Sequence, residues 1–133
     1  MVHALNKGKS GEREFCKWLK DNLDIDTSRN LDQAREGGAD VTTDDFLFEV
    51  KRRETLDLQS WWNQVVKAHH QPRNNHLIPV VAYRQNRKQW QFLISANFIG
   101  LQKGFIHLEE RIFKKWALEI VKGLAESGPE WHR

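Results

Sequence analysis

Cysteine is almost absent from this 133-residue sequence, and what little there is excludes two classes of small domain. Cys16 alone permits neither an internal disulfide nor a cysteine-rich zinc centre. No apolar run approaches the roughly 20 residues that a membrane-spanning helix needs. The segment Met1 to Lys7 also lacks the apolar stretch of a secretory signal. A cytoplasmic protein with no membrane partner is therefore expected. Internal repeats, low-complexity tracts and Pro/Gly-rich linkers are missing too. So is a strong charge of one sign, because 21 Lys and Arg face 18 Asp and Glu, for a net charge of +3. That mild excess does not by itself indicate a nucleic-acid partner.

What is present suits one globular unit. Hydrophobic residues make up 39% and charged residues 29% of a chain whose length fits a single domain spanning 1–133. The basic residues are unevenly placed. Lys7, Lys9, Arg13, Lys17 and Lys20 crowd the first segment, Lys51-Arg52-Arg53 are consecutive, and Arg84, Arg87 and Lys88 share one loop. Acidic residues gather between Asp21 and Asp26 and at Asp44-Asp45. Each cluster fits a solvated surface about as readily as a phosphate contact.

The hydrophobic pattern predicts a first helix from about Ser10 to Leu23. Ser10 would be its N-cap, Glu12 and Glu14 would favour its first turn, and Phe15, Trp18, Leu19 and Leu23 would be its buried stripe. A short strand is expected at Asp26 to Leu31, then a loop through Glu36-Gly37-Gly38. Residues 39–42 and 46–52 read as a hairpin around Thr43-Asp44-Asp45. In its second arm, alternation puts Leu47, Glu49 and Lys51 on one face. A helix at 58–70, a strand at 77–83, a turn at 85–88 and a last strand at 89–94 follow. Ser95 would cap a short helical turn, and a long amphipathic helix is expected over 108–125. The order describes a mixed α/β domain, a central sheet flanked by helices.

Chemistry concentrates on the hairpin. Asp40 lies on one arm beside the Gly-Gly loop, and Glu49-Val50-Lys51, the one Glu-x-Lys of the chain, lies on the other. Burying carboxylates in an ordinary core costs several kcal/mol each unless they are paired or hold a cation. Magnesium takes oxygen ligands, often one or two carboxylates with water and substrate phosphate. Asp40 and Glu49 supply such a pair, and the Val50 carbonyl offers a third oxygen. Lys51 projects from the same face, where an amine can orient water or stabilise charge developing on a phosphate. The chemistry this arrangement suits is metal-assisted phosphodiester hydrolysis. Taken alone, the spacing equally fits a surface strand carrying a Glu–Lys pair.

The wider pattern resembles the PD-(D/E)xK nuclease superfamily, and within it the archaeal-type and phage-type Holliday junction resolvases. The matching segments are Lys7-Gly8 to Glu12-Arg13-Glu14, Arg29 after a presumptive strand, Gly37-Gly38-Ala39-Asp40, and Glu49-Val50-Lys51 with Arg52-Arg53 behind it. They cover roughly residues 5 to 94. The resemblance implies a restriction-endonuclease-like fold over residues 1–94, with residues 95–133 as an additional C-terminal helical extension. It implies Asp40, Glu49 and Glu12 as ligands of Mg2+, for which Mn2+ would substitute, and Lys51 as the group that orients water. Gln64 becomes a candidate for organising the site, and Arg29, Arg52 and Arg53 candidates for DNA contact. Lys7, Lys9 and Arg13, flanking Glu12, join them. The implied enzyme is a homodimer that cuts branched or four-way DNA. A general nuclease acting on duplex or single strands, and a DNA-binding module without catalysis, are the alternatives.

Other chemistry-bearing residues have plainer roles. His69 and His70 are adjacent on a helix and point apart, and Cys16 sits in a packed stripe. Trp18, Trp61 and Trp116 fit core positions, whereas Trp62 and Trp90 are candidates for partial exposure and contact with DNA or a second subunit.

Overall fold

The computed structural model describes residues 3–27 and 40–123, with side chains from Ser10 onward. Helix α1 spans His3–Leu23, and the hairpin follows as β1 (Val41–Thr42) and β2 (Phe46–Arg52). Next come α2 (Leu58–His69), β3 (Ile78–Arg84) and β4 (Gln91–Ser95). After a 3₁₀ turn at Ala96–Ile99 the chain forms β5 (Phe105–Glu109) and α3 (Glu110–Val121). The five strands lie in the order β1-β2-β3-β4-β5. Only β2 and β3 run parallel, joined by α2 as the crossover that parallel strands require, and the other neighbours are antiparallel. The domain is thus α/β, with a mixed sheet covered by helices on both faces.

The alternation expected in β2 decides which helix meets which face. Phe46, Phe48 and Val50 pack into the core shared with α1 and α3, around Phe15, Trp18, Phe92 and Phe113. Leu47 enters the opposite core, against Trp61, Trp62 and Val65 of α2 and Val81, Tyr83 and Leu93 of the sheet. Glu49 and Lys51 follow Leu47 on that α2 face. The hairpin closes without glycine because the Thr43 hydroxyl accepts the backbone N–H groups of Asp45 (3.2 Å) and Phe46 (2.9 Å). Asp57 caps α2 by accepting from Ser60 N at 3.4 Å.

Several expectations are corrected here. Ser10 is not an N-cap, because α1 begins seven residues earlier at His3. Asp26 and Thr27 are outside any strand, and the rest of the expected strand at 26–31 lies outside the described residues. The strand at 91–95 is not the last, since residues 105–109 add β5 along the whole of β4, and the helix expected from Leu108 begins at Glu110. The region beyond 94 is therefore not purely helical. Trp62 and Trp90 are buried, at 6% and 3% exposure, against Phe105 and Phe15 respectively. His69 is buried at the end of α2 with Nε2 bonded to the Leu77 carbonyl at 2.9 Å, a structural role. No described helix is long and apolar enough to cross a membrane.

Phe113 is the element that fastens α3 to the sheet. It is fully buried, with its ring 3.8 Å from that of Phe92 and nearly parallel to it. Phe113→Ala should cost about 3–5 kcal/mol, from lost burial and the cavity left behind. Chemical denaturation checks this, and a loss under 1 kcal/mol would show that α3 is not part of the core.

Candidate active site

The hairpin register pairs Val41 with Phe48 and Thr42 with Leu47, so one step further sets Asp40 opposite Glu49. The two side chains consequently leave the sheet on the same face. Asp40 Oδ2 accepts the Val50 backbone N–H at 2.8 Å, which fixes the carboxylate across the strand end. Glu49 is only 9% exposed and lies opposite Asp40 in the hairpin register. Lys51 Nζ stands 3.5 Å from Glu49 Oε2, and both side chains are mostly buried. Two acids and one amine therefore meet at the open end of β2, as the strand alternation suggested.

Electrostatics follow from that crowding. The Glu49 carboxyl is pushed up to about 8, by burial first and by the Asp40 charge next, with Lys51 only partly offsetting them. Asp40 is also raised by burial, against the opposing effects of the Val50 N–H, the Glu49 hydrogen bond, and the charges of Lys51 and Arg53. A buried acid beside a half-buried one is a donor set suited to a hard cation, which would supply the missing positive charge. The residues present fit such an ion, with Asp40 and Glu49 as ligands.

The other anticipated residues are distributed unevenly. Glu12 is partly buried on α1, on the helix turn where Gly11 packs so closely that an added Cβ would lie 2.8 Å from Arg52 Cβ. Among the described residues no three His, Cys, Asp or Glu side chains gather about one point, so Glu12 does not close on Asp40 and Glu49 as a third acid. Gln64 is exposed on α2, and Arg13 is exposed on α1. Arg53 is exposed beside the site, continues the sheet by donating its N–H to the Arg84 carbonyl at 3.2 Å, and acts electrostatically on Asp40. Arg52 points to the α1 face and is engaged by Glu14, Nε to Oε2 at 3.2 Å. Its charge is committed within the fold rather than offered at the site. The side chains of Lys7 and Lys9, and Arg29 altogether, lie outside the described residues.

Two supports were not read from sequence. Glu14 grips Arg84 as well as Arg52, with Oε1 2.5 Å from Arg84 Nη1. It thereby ties α1 to the ends of both parallel strands. Glu54 accepts the Asn86 backbone N–H with both oxygens, at 3.1 and 2.9 Å. These partners are separated by 32 to 70 residues, and nothing local marks either pairing.

The fold is thus an α/β domain whose mixed sheet carries two acids and a lysine side by side on one face. The chain belongs to the family described as "Phage putative PDDEXK endonuclease", whose model matches residues 4–119. That span runs beyond Ser95 through β5 and into α3, further than the motif resemblance reached. Among solved structures, Archaeoglobus fulgidus Hjc, a Holliday junction resolvase from an archaeal hyperthermophile, is similar. The likeness covers 80% of this chain and 87% of that one, at 22% identity and a TM-score of 0.48. No protein with a curated description matches.

The raised acid has a measurable consequence. Its folded pKa of about 8 lies above the ordinary 4.5, so between those values the folded state holds a proton that the unfolded chain releases. Without divalent cations, stability should fall as pH rises from about 4.5 to 8, then level off. Glu49→Gln should flatten much of that slope. Denaturation curves at pH 5, 6.5 and 8 in chelator check this, and parallel slopes for the two proteins would refute the assignment.

Proposed function

We infer that this nuclease hydrolyses DNA phosphodiester bonds with a divalent cation held by Asp40 and Glu49. The observation that carries the reading is the convergence of Asp40, the buried Glu49 and Lys51 on one face of the sheet. Mg2+ is the expected ion and Mn2+ a substitute, because the donors are oxygens alone. Such an ion supplies positive charge to the phosphate and makes a nearby water more acidic. The Val50 carbonyl would be a third donor and Glu12 a further one, direct or through water.

The remaining steps belong to side chains of this chain. Asp40, fixed by the Val50 N–H, orients the pair. Lys51 orients the attacking water and stabilises charge that develops on the phosphate. Gln64, one helix away, organises the site from α2. Arg13, Arg53, Lys7, Lys9 and Arg29 contact phosphates and position the DNA without reading its sequence. Arg52 supports this role through the fold, held as it is by Glu14. Residues 1–133 act as one nuclease domain.

As the motif resemblance implies, the substrate is branched DNA such as a four-way junction, and the active form is a symmetric homodimer. Two sites related by a two-fold axis would reach opposing strands of a symmetric junction. The broader reading is a nuclease of this family acting on duplex or single strands.

The test uses purified protein with Mg2+ on matched junction, flap, duplex and single-stranded DNA. Junction cutting is expected to exceed duplex cutting, and equal rates would overturn the junction preference alone. Asp40→Asn and Glu49→Gln should abolish cutting, and Lys51→Ala should slow it about 10²–10³-fold. Wild-type rates for Asp40→Asn or Glu49→Gln would overturn the site.

A further inference from the structure

The end of β2 that carries Lys51 has a strand neighbour on one side only. Its ladder to β3 runs the whole length, from Phe46 with Ile78 to Arg52 with Arg84. Its ladder to β1 stops at Phe48, opposite Val41, among the described residues. Glu49, Val50 and Lys51 therefore join the sheet through β3, and the Asp40 carboxylate on the Val50 N–H fastens the other side. A strand end held from one side opens more readily than one held from both.

A side chain from α1 makes good that lack. Lys51 and Arg52 are consecutive on the strand, so they leave it on opposite faces. Arg52 points to α1 and is only 15% exposed. Glu14 accepts Arg52 Nε on Oε2 at 3.2 Å and Arg84 Nη1 on Oε1 at 2.5 Å. One carboxylate thus spans the last paired residues of both parallel strands. Arg52 Nη1 donates in turn to the Arg84 carbonyl at 3.4 Å. Three residues before Glu14, Gly11 lets the helix lie directly on Arg52, where an added Cβ would stand 2.8 Å from Arg52 Cβ. The other acid near Arg52, Glu54, is farther away at 3.6 Å and more exposed than Glu14.

An ion pair at a strand end is ordinarily structural. Here the residue it holds is covalently joined to Lys51, whose Nζ stands 3.5 Å from Glu49 Oε2. The two side chains project from opposite faces of one ribbon, so a roll of the strand at Arg52 swings Lys51 the opposite way. At a group that must be aimed, a displacement of about 1 Å can cost roughly 10²-fold in rate.

We propose that Glu14 is a positioning residue for the reaction. By holding Arg52 and Arg84 on the α1 face, it fixes the end of β2 and so aims Lys51 on the α2 face. The proposal rests on the nuclease reading above and adds to it a residue that acts from the opposite side of the sheet.

A double-mutant cycle tests this. Single-turnover cutting with Mg2+, on whichever matched DNA the wild type cuts fastest, is measured for wild type, Glu14→Gln, Lys51→Ala and the double variant. Melting temperature and DNA affinity in chelator are measured for each. Glu14→Gln keeps the shape of the side chain and removes the charge behind its two bonds. It should slow cutting about 10- to 100-fold and leave affinity unchanged. In the Lys51→Ala background the same substitution should slow cutting no further, because a group that acts through Lys51 has nothing left to aim. A merely structural loss would slow both backgrounds by the same factor. That result, or a wild-type rate for Glu14→Gln, overturns the proposal. So does a fall in affinity as large as the fall in rate, which would place the effect in binding. If Glu14→Gln melts below the assay temperature, Arg52→Lys, which keeps the charge but loses the fork, is read by the same cycle. If Lys51→Ala cuts as fast as wild type, the role of Lys51 falls and this proposal with it, while the acids are judged by their own variants. If wild type cuts no DNA, the nuclease reading and the proposal fall together.

Discussion

A single hydrogen bond, from the Val50 N–H to the Asp40 carboxylate, sets the geometry on which the rest of the site depends. It holds an acid across the end of a two-residue strand too short to fix it by ladder bonds alone. With Asp40 fixed, register leaves Glu49 no direction but toward it. Two carboxylates in that relation repel, and burial removes the water that would screen them. The conflict shows in the Glu49 carboxyl, raised to about 8, and Lys51 partly relieves it.

The sheet separates this strained chemistry from the structure that bears it. On the α2 face stand Asp40, Glu49 and Lys51. On the α1 face, one residue out of phase, stand Arg52 and Arg84, joined by Glu14. The two parallel strands are thus clamped at their ends by charges that belong to the fold, while Asp40, Glu49 and Lys51 occupy the opposite side. Gly11 allows α1 to come close enough for that clamp, since any side chain there would strike Arg52. Position on one strand, odd or even, decides whether a basic residue is a tool or a tie.

That alternation is also what made the site legible. Phe46 to Arg52 alternates cleanly, so the face of Glu49 and Lys51 followed from the period of a strand, and Thr43 closes a turn that lacks the usual glycine. The first helix was read short because its opening turns, with Gly8 among them, carry no cap and little apolar stripe. Strand β5 escaped notice because Leu108 and Glu109 also continue the helical pattern of the next segment, and its pairing partner β4 decides the matter. Trp62 and Trp90 looked available for stacking, yet Phe105 and Phe15 cover them from 43 and 75 residues away. Local sequence carries period and turn chemistry; it does not carry the partner.

The same distinction resolves a puzzle in the charge. A net +3 is little for a chain that handles a polyanion, and among the described residues four cations of α1 and the α1 face are paired where they stand. Lys17 pairs with Asp21, Lys20 with Asp24, and Arg52 and Arg84 with Glu14. Exposed pairs of this kind add little stability, yet they remove positive potential from that side. Arg53, exposed beside the acid pair, keeps its charge there and acts on Asp40. Attraction for DNA therefore depends less on how many cations the chain has than on which ones its own carboxylates leave unclaimed.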